Sequence, residues 1–383
     1  MLLEIRPTPR PMSRARSVLW SVMFGCLVAL ATSPAGAEGP RPGGRFAYVS
    51  HFYTHDITAH VIDPVTGALD AAPFAPFAAG ERPSFMRLHP NGRLLYALNY
   101  FSSSISVYAI HPETGALSPI PGSPFATGVR PINLVFTPQG RFAYVANWGD
   151  DTLTAYSVDA VTGALTPLAG SPLATGPHPL SLGMNPLGRF LYVANDVSNT
   201  VSGYSIHPVT GALTPVQGSP FAAGSMPFSV AVHPFTGAVY VAHGLSSNVW
   251  GYASHPLTGA LTPVAGSPFP TGANPAQIKI HPSGRFVYVA DWGASTVSGF
   301  SVVPGSGALL PVPGSPFAAL GGPRFIAFDL VGGRVYLTNI ETEGPNISVY
   351  TLDAASGALA PIAGSPFPSG SSPSAIVLTG TPQ

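Results

Sequence analysis

The chain has 383 residues, a formal net charge of zero at pH 7, and only 8% charged residues. Its 43 glycines and 44 prolines, close to a quarter of the chain, exclude a helical bundle or a long coiled coil. Because 45% of the residues are hydrophobic and Val, Ile, Tyr and Phe recur periodically, disorder is excluded as well, and the composition indicates a turn-rich all-β protein.

The N-terminal segment has the layout of a secretory signal peptide. Its basic region is followed by an apolar run over 18–31 and by the small residues Ala35-Gly36-Ala37. The basic residues are Arg6, Arg10, Arg14 and Arg16. We therefore predict a signal peptide over 1–37, cleaved after Ala37, and a periplasmic or secreted protein.

Two features of this segment leave alternatives open. Met12 is a second plausible start, because a compact basic region follows it. Cys26 follows Gly25 as in a lipoprotein signal, although it lies inside the apolar run. No later stretch approaches 18 apolar residues, so no internal membrane span is expected.

The charge left after cleavage argues against nucleic acid as a partner. Removing 1–37 takes away four arginines and one glutamate, which leaves 12 basic and 15 acidic residues and no basic field. The only cysteine is removed too, so no disulfide holds the fold.

A 48-residue repeat decides the fold. Tyrosines recur at that interval: Tyr48, Tyr96, Tyr144, Tyr192, Tyr240, Tyr288 and Tyr336. The glycine of a Gly-Ala-Leu turn follows the same interval from Gly67 to Gly307, and its last step, to Gly357, is 50 residues. Several short strands in each repeat of this length are typical of propeller blades.

Each repeat carries four strand patterns, called A to D. In the third repeat they cover 132–136, 142–146, 153–158 and 164–168, separated by Gly and Pro turns. The first repeat lacks strand A, and Pro373 to Leu378 resembles the missing strand. We predict a short linker over 38–43 and a seven-bladed β-propeller over 44–383, closed by its C-terminal strand. A solenoid with free ends is the alternative.

Histidines before proline recur in the A–B and C–D turns. They are His89, His233, His281, His111, His207 and His255. A metal site is one interpretation. A turn-stabilising role is favoured, because these residues are spread around the ring and do not converge.

The opposite face, built from the D–A and B–C loops, differs between blades. Arg82, Arg130 and His178 precede the prolines of consecutive A strands. Phe52, Tyr100 and Trp148 follow consecutive B strands, and Arg324 lies in the same loop set. Guanidinium groups bind anions and aromatic rings pack on sugars, so these loops predict a site for a small anionic or sugar-like ligand, or for a protein partner on the loop face. Alternatively, the arginines pair with Asp150, Asp151 or Glu81 and the rings pack under loops.

Two further cations share a register in strand A. Arg87 and Lys279 stand where other blades carry small or apolar residues. They either point into the channel and hold an anion or ordered water, or they pair with Asp329 or are solvated there.

Patterns for catalysis are sparse. The sequence has no Gly-x-Ser-x-Gly elbow, no His-Glu-x-x-His motif and no phosphate-binding loop. No metal, haem or copper ligand cluster is recognisable either. We expect no cofactor and a monomeric protein.

The repeated motifs carry a family resemblance. Tyr144-Val-Ala-Asn147, the His-Pro-x-Gly-Arg turns and the Thr-Gly-Ala-Leu turns resemble the YVTN-type, lactonase-like seven-bladed propellers, across essentially the whole mature chain. That family includes 6-phosphogluconolactonases and a carboxy-muconate cyclase. The resemblance implies a histidine, an arginine and an acidic residue at the funnel mouth. It would make His178 the base and Arg130 or Arg82 the anion binder, while spacing identifies no acidic partner for His178.

Two functional hypotheses follow. One is an exported propeller that binds a ligand or partner at a basic and aromatic funnel mouth. The other is a hydrolase that opens a lactone ring, as the resemblance implies.

Overall fold

Short runs of β-branched and aromatic residues between Gly and Pro turns form strands throughout the computed structural model, which describes residues 46–329, 333–341, 344 and 346–380. The predicted signal peptide over 1–37, with Met12 and Cys26, and the linker over 38–43 lie outside these residues. Within them, no helix has the length and apolar character to cross a membrane.

The described strands form seven antiparallel sheets, each with strands A, B, C and D in that order. The A strands are Pro83–Leu88, Pro131–Phe136, Pro179–Met184, Pro227–Val232, Pro275–Ile280, Pro323–Phe328 and Pro373–Leu378. The B strands are Phe46–His51, Leu94–Asn99, Phe142–Asn147, Phe190–Asn195, Val239–His243, Phe286–Asp291 and Arg334–Asn339. The C strands are Asp56–Ile62, Ser104–Ile110, Thr152–Val158, Thr200–Ile206, Asn248–Ser254, Thr296–Val302 and Ile347–Leu352. The D strands are Leu69–Ala71, Leu117–Pro119, Leu165–Pro167, Leu213–Pro215, Leu261–Pro263, Leu309–Pro311 and Leu359–Pro361.

A Pro-Phe or Pro-Leu segment that follows strand D, preceded by serine in all but the first of six blades, contributes a fifth strand that the sequence did not predict. It pairs with strand C in six blades, and its members are Phe77–Ala78, Phe125–Ala126, Leu173–Ala174, Phe221–Ala222, Phe269–Pro270 and Phe317–Ala318. The serine before the proline accepts a hydrogen bond from strand C, as Ser171 does from the Ala155 N–H at 2.8 Å. One 3-10 turn, Trp292–Ala294, follows a B strand.

The chain closes its ring as predicted. Pro373–Leu378 pairs antiparallel with Phe46–His51, so that Ala47 lies opposite Leu378 and Val49 opposite Ile376. This strand also contacts the A strands of both neighbouring blades. The predicted seven-bladed propeller is confirmed, and the solenoid alternative is wrong.

The repeated tyrosine and the repeated glycine contact each other across each blade interface. The hydroxyl of each strand B tyrosine donates to the carbonyl of a C–D turn glycine in the next blade, at 2.7 Å from Tyr144 to Gly211. The last bond, from Tyr336 to Gly67, crosses the ring closure at 3.0 Å. The glycine needs its left-handed conformation, with φ +72° at Gly211, and its missing side chain leaves room for Phe142 of the preceding blade. Seven hydrogen bonds of this kind, six of them buried and the one from Tyr240 part-buried, join adjacent blades.

Turn histidines also join blades. Nε2 of His89 lies 3.0 Å from the Gly140 carbonyl oxygen in the next A–B turn, and the His233 ring makes the same contact with Gly284 at 2.9 Å. The Asn91 N–H donates to Nδ1 of His89, so both ring nitrogens are used within the turns. Residues 46–329, 333–341, 344 and 346–380 contain no group of three or more His, Cys, Asp or Glu side chains placed to hold a metal ion.

Candidate functional site

The D–A loop and the B–C turn of each blade meet at one backbone hydrogen bond. The residue before the strand A proline is left-handed, with φ of 55° at Arg82, 55° at Arg130 and 52° at His178. Its carbonyl accepts the N–H of the residue after strand B, as in Tyr100 to Arg82 and Trp148 to Arg130, both at 3.0 Å. The two loop positions that the sequence singles out are therefore neighbours within each blade.

The last residue of strand B is buried inside its own blade. Asn147 is fully buried, and its amide donates to the hydroxyls of Thr152 and Thr154 at 3.0 and 2.8 Å. A Cβ at Gly128 would lie 2.5 Å from the Asn147 amide carbon, so glycine is required there. These hydrogen bonds join strand B to strand C within the blade, and the Asn147 side chain has no exposed surface for a ligand.

Four rings from consecutive blades form a continuous row on the loop face. The ring centroids are 6.1 Å apart between Phe52 and Tyr100, 6.3 Å between Tyr100 and Trp148, and 4.3 Å between Trp148 and His178. We call this row, together with Arg82 and Arg130, the rim ladder. The structure thus brings together six of the eight predicted site residues.

The two arginines of the rim ladder stack on its rings. Cζ of Arg82 lies 5.1 Å from the Phe52 centroid and 4.6 Å from that of Phe101, and Cζ of Arg130 lies 5.3 Å from that of Trp148. Such cation–π contacts leave the N–H edges of a guanidinium available for an anion.

The alternative ion pairs of these arginines are absent. Asp150 accepts the Val129 N–H at 3.0 Å, and Asp151 accepts the His178 N–H at 2.8 Å. Among the described residues, Arg82 and Arg130 form no ion pair with Asp150, Asp151 or Glu81. The alternative of arginines neutralised by these acids is therefore wrong.

At its end in the fourth blade, the rim ladder meets an acid that sequence reasoning missed. Nδ1 of His178 lies 3.5 Å from Oδ1 of Asp196, and the side chains are 39% and 13% exposed. Burial raises the pKa of Asp196, His178 opposes that rise, and Asp151 adds to it. Asp196 occupies the position after strand B where the three preceding blades carry rings, and that break in the pattern was the available signal.

The other predicted site residues lie elsewhere. Cζ of Arg324 lies 6.0 Å from the Phe325 ring, and burial lowers the pKa of Arg324. Arg87 lines an axial cavity between the A strands. Asp329 pairs with Arg334 through a 3.6 Å contact, so the alternative that it neutralises Arg87 or Lys279 is wrong.

Comparisons with known proteins place this architecture among solved structures. The sequence profile of the family described as lactonase, seven-bladed β-propeller, matches residues 41–232 and 219–377. A Bacteroides uniformis protein proposed to be a 6-phosphogluconolactonase is similar at 18% identity and a TM-score of 0.76, over 88% of this chain and 99% of that one. The periplasmic gluconolactonase of Pseudomonas aeruginosa is similar at 21% identity and a TM-score of 0.75, over 88% and 99%. No curated protein sequence matches the chain. At these identities the structural similarity shows the fold alone.

Proposed function

The chain belongs to the lactonase family of seven-bladed β-propellers, and from that premise we propose that it is an exported hydrolase that opens a lactone ring at the His178 end of the rim ladder. The observation that carries this proposal is a partly exposed imidazole with a carboxylate 3.5 Å from one of its ring nitrogens. Oδ1 of Asp196 has no hydrogen-bond partner among the described residues, so this contact is electrostatic. A negative charge beside Nδ1 favours the tautomer with the proton on Nδ1, which leaves Nε2 free to accept a proton.

In the proposed reaction the chemistry needs only water and the lactone. The water oxygen bonds to the carbonyl carbon while His178 takes one water proton on Nε2. When the tetrahedral intermediate collapses, the bond to the ring oxygen breaks and the imidazolium returns its proton to that oxygen. The product is one hydroxy acid, so atoms and charge balance without a further reactant.

Arg130 is the proposed anion binder. Its guanidinium and the His178 ring both contact Trp148, which supports their action on one ligand. A guanidinium can stabilise the negative oxygen of the intermediate or hold an acidic group on the substrate, and the indole offers a flat face to a sugar-like ring. A sugar lactone fits both features.

The proposed location is periplasmic or extracellular. The basic and apolar N-terminal segment with Ala35-Gly36-Ala37 supports export. The similar Pseudomonas aeruginosa protein is described as periplasmic, which is consistent with this proposal.

The test is turnover of gluconolactone and 6-phosphogluconolactone, corrected for spontaneous hydrolysis. His178→Asn keeps a residue type that tolerates the left-handed backbone, as Asn274 shows two blades further on. We expect kcat to fall about 100-fold or more, the usual contribution of a positioned base. Met226→Asn makes the same change at the same loop position one blade away, and should leave kcat unchanged. Equal activity in wild type and His178→Asn would overturn the proposal.

Asp196→Asn tests the orienting role separately. We expect a loss of kcat with little change in KM, because the carboxylate touches His178 and not the substrate. If Asp196→Asn retains full kcat, the imidazole does not depend on this acid.

A binding propeller without catalysis is the second candidate, and the two arginines without acidic partners favour it. It predicts no turnover above background by the wild type, together with binding of a small anionic or sugar-like ligand. That binding should be lost in the double variant Arg82→Gln/Arg130→Gln and retained in Met226→Asn. Unchanged binding in the double variant would exclude the rim ladder as the site.

A further inference from the structure

The axis of the propeller contains a cavity separate from the rim ladder. Its volume is about 480 Å³, and A strands from all seven blades line it. Its wall includes Pro90, Pro138 and Pro234 of the A–B turns, so it extends towards the face opposite the rim ladder. A volume of this size is within the usual range for small-molecule sites.

Two cations line this cavity without a counter-charge. Among the residues that the structure describes, Arg87 and Lys279 are the charged ones that line it, and none of these lining residues is Asp or Glu. Nε of Arg87 is fully buried and has no hydrogen-bond partner among the described residues. Lys279 is the only lysine in the chain. Both side chains are half-buried, and two half-buried cations that face one cavity without a counter-charge favour an anion between them.

Three neutral polar side chains of the wall also favour an anion, whereas Asn133 contributes an amide oxygen that has no hydrogen-bond partner among the described residues. The Ser181 and Ser229 hydroxyl oxygens already accept backbone N–H groups of the next A strand, at 3.0 and 3.2 Å. Oε1 of Gln277 accepts the Ile326 N–H at 2.6 Å. Because these oxygens are occupied, the hydroxyl protons and the Gln277 amide protons remain as donors.

We infer that the axial cavity is an anion-binding site in which Arg87 and Lys279 hold a small polyvalent oxyanion, a phosphate or a polycarboxylate. The site is independent of the proposed lactone chemistry, because none of its wall residues belongs to the rim ladder.

Anion binding is coupled to the proton on Lys279. Burial and the positive charge of Arg87 lower the pKa of Lys279 to about 7. Other titratable groups lie on or beside the neighbouring strands: Tyr288 opposite Lys279, Asp291 at the end of that strand, Arg324, His233, His281, and Asp329 with its partner Arg334. An anion favours the charged amine, so affinity decreases as pH rises through this pKa.

Calorimetric titration of the mature protein with sulfate and with oxalate tests the inference. Neither anion titrates near neutral pH, and sodium chloride at matched ionic strength removes general salt effects. We expect saturable binding of at least one anion, about tenfold weaker one pH unit above the Lys279 pKa than one unit below it. Preference for sulfate indicates a phosphate-like ligand, and preference for oxalate indicates a carboxylate. No binding of either beyond chloride would overturn the inference.

Three variants localise the binding. Arg87→Met and Lys279→Met retain the aliphatic bulk and should each abolish binding. Arg189→Met, at an exposed A–B turn position, should leave it unchanged. Binding that is equal in all three variants would place the anion elsewhere and refute the site.

A measurement on the wild-type chain avoids any folding defect of the variants. Acylation by an amine-selective reagent targets Lys279 and the N-terminal amine, and mass spectrometry of proteolytic peptides measures the two sites separately. We expect bound sulfate or oxalate to slow acylation of Lys279 about tenfold near neutral pH, while the N-terminal amine reacts as before. If the bound anion leaves Lys279 acylation unchanged, the inference is wrong.

Discussion

Replacing Asp291 with asparagine should stabilise the protein, and the gain should depend on pH. Asp291 ends a B strand, at the position where Asn147 stands in the third blade. Its Oδ2 accepts hydrogen bonds from Thr296 and Ser298 at 3.1 and 2.6 Å, whereas its buried Oδ1 has no partner. Asparagine at this position can donate to both hydroxyls, as Asn147 does in its own blade.

The magnitude follows from the pKa of the carboxyl. Burial raises the pKa of Asp291 from 3.8 to about 6, although the hydrogen bonds from Ser298 and Thr296 oppose the rise. Because the folded pKa lies above the unfolded one, the protonated carboxyl stabilises the folded protein fully below about pH 4. That stabilisation is lost as pH rises through 6. Two pKa units correspond to about 3 kcal/mol, so Asp291→Asn should exceed wild type by roughly that free energy of unfolding at pH 8.

Urea denaturation of wild type and Asp291→Asn between pH 4 and pH 8 measures this difference. Because the slope m should not change, a shift in the midpoint reports the change in the free energy of unfolding. Taking the difference between the two proteins cancels the titration of every other group. Asn147→Asp is the matched control, because it places a carboxylate at the equivalent buried position in the third blade. It should lower the free energy of unfolding most at high pH. A difference between wild type and Asp291→Asn that stays constant across this pH range would refute the reasoning.

Three further predictions concern the ring. Tyr144→Phe leaves the Gly211 carbonyl without its partner from the neighbouring blade, and should lower the free energy of unfolding by about 1–3 kcal/mol in denaturant titrations. Burial lowers the pKa of His243 to about 4, so the free energy of unfolding of wild type relative to that of His243→Asn should fall by about 3 kcal/mol as pH drops from 6.5 to 4, measured by urea denaturation of both proteins. Ending the chain before Pro373 exposes the edge of Phe46–His51, and should abolish cooperative unfolding, whereas a chain ending at Gly380 should unfold like wild type.

The fold could be read from the sequence because its determinants are repeated and local. Tyr144, Gly163 and the alternating apolar residues of each strand recur seven times, so the pattern reveals blade number, strand order and closure. Strand ends in the third blade differ from prediction by one residue at most: strand A begins at Pro131 and strand B extends to Asn147. The pairing of Leu173–Ala174 with strand C was not predicted, because it depends on the path of the loop before it.

The candidate site was only partly readable. Loop variation placed Arg82, Arg130 and His178 on one face, but distances between blades are not contained in a repeat pattern. The 3.5 Å contact of His178 with Asp196 and the stacking of Arg130 on Trp148 each arise within one blade, where its D–A loop meets its B–C turn. The contacts between Tyr100, Trp148 and His178 join neighbouring blades.

The sequence by itself thus determined the architecture of this protein, since repetition imposes the same turn and strand chemistry on every blade. Only the tertiary structure decided which charges have partners. The arginines of the rim ladder stack on rings instead of pairing with the nearby acids, and Arg87 and Lys279 share a cavity that none of the described acidic residues lines. The physical reason is that electrostatic energies depend on distance and burial, and the closed ring sets both between residues far apart in the chain.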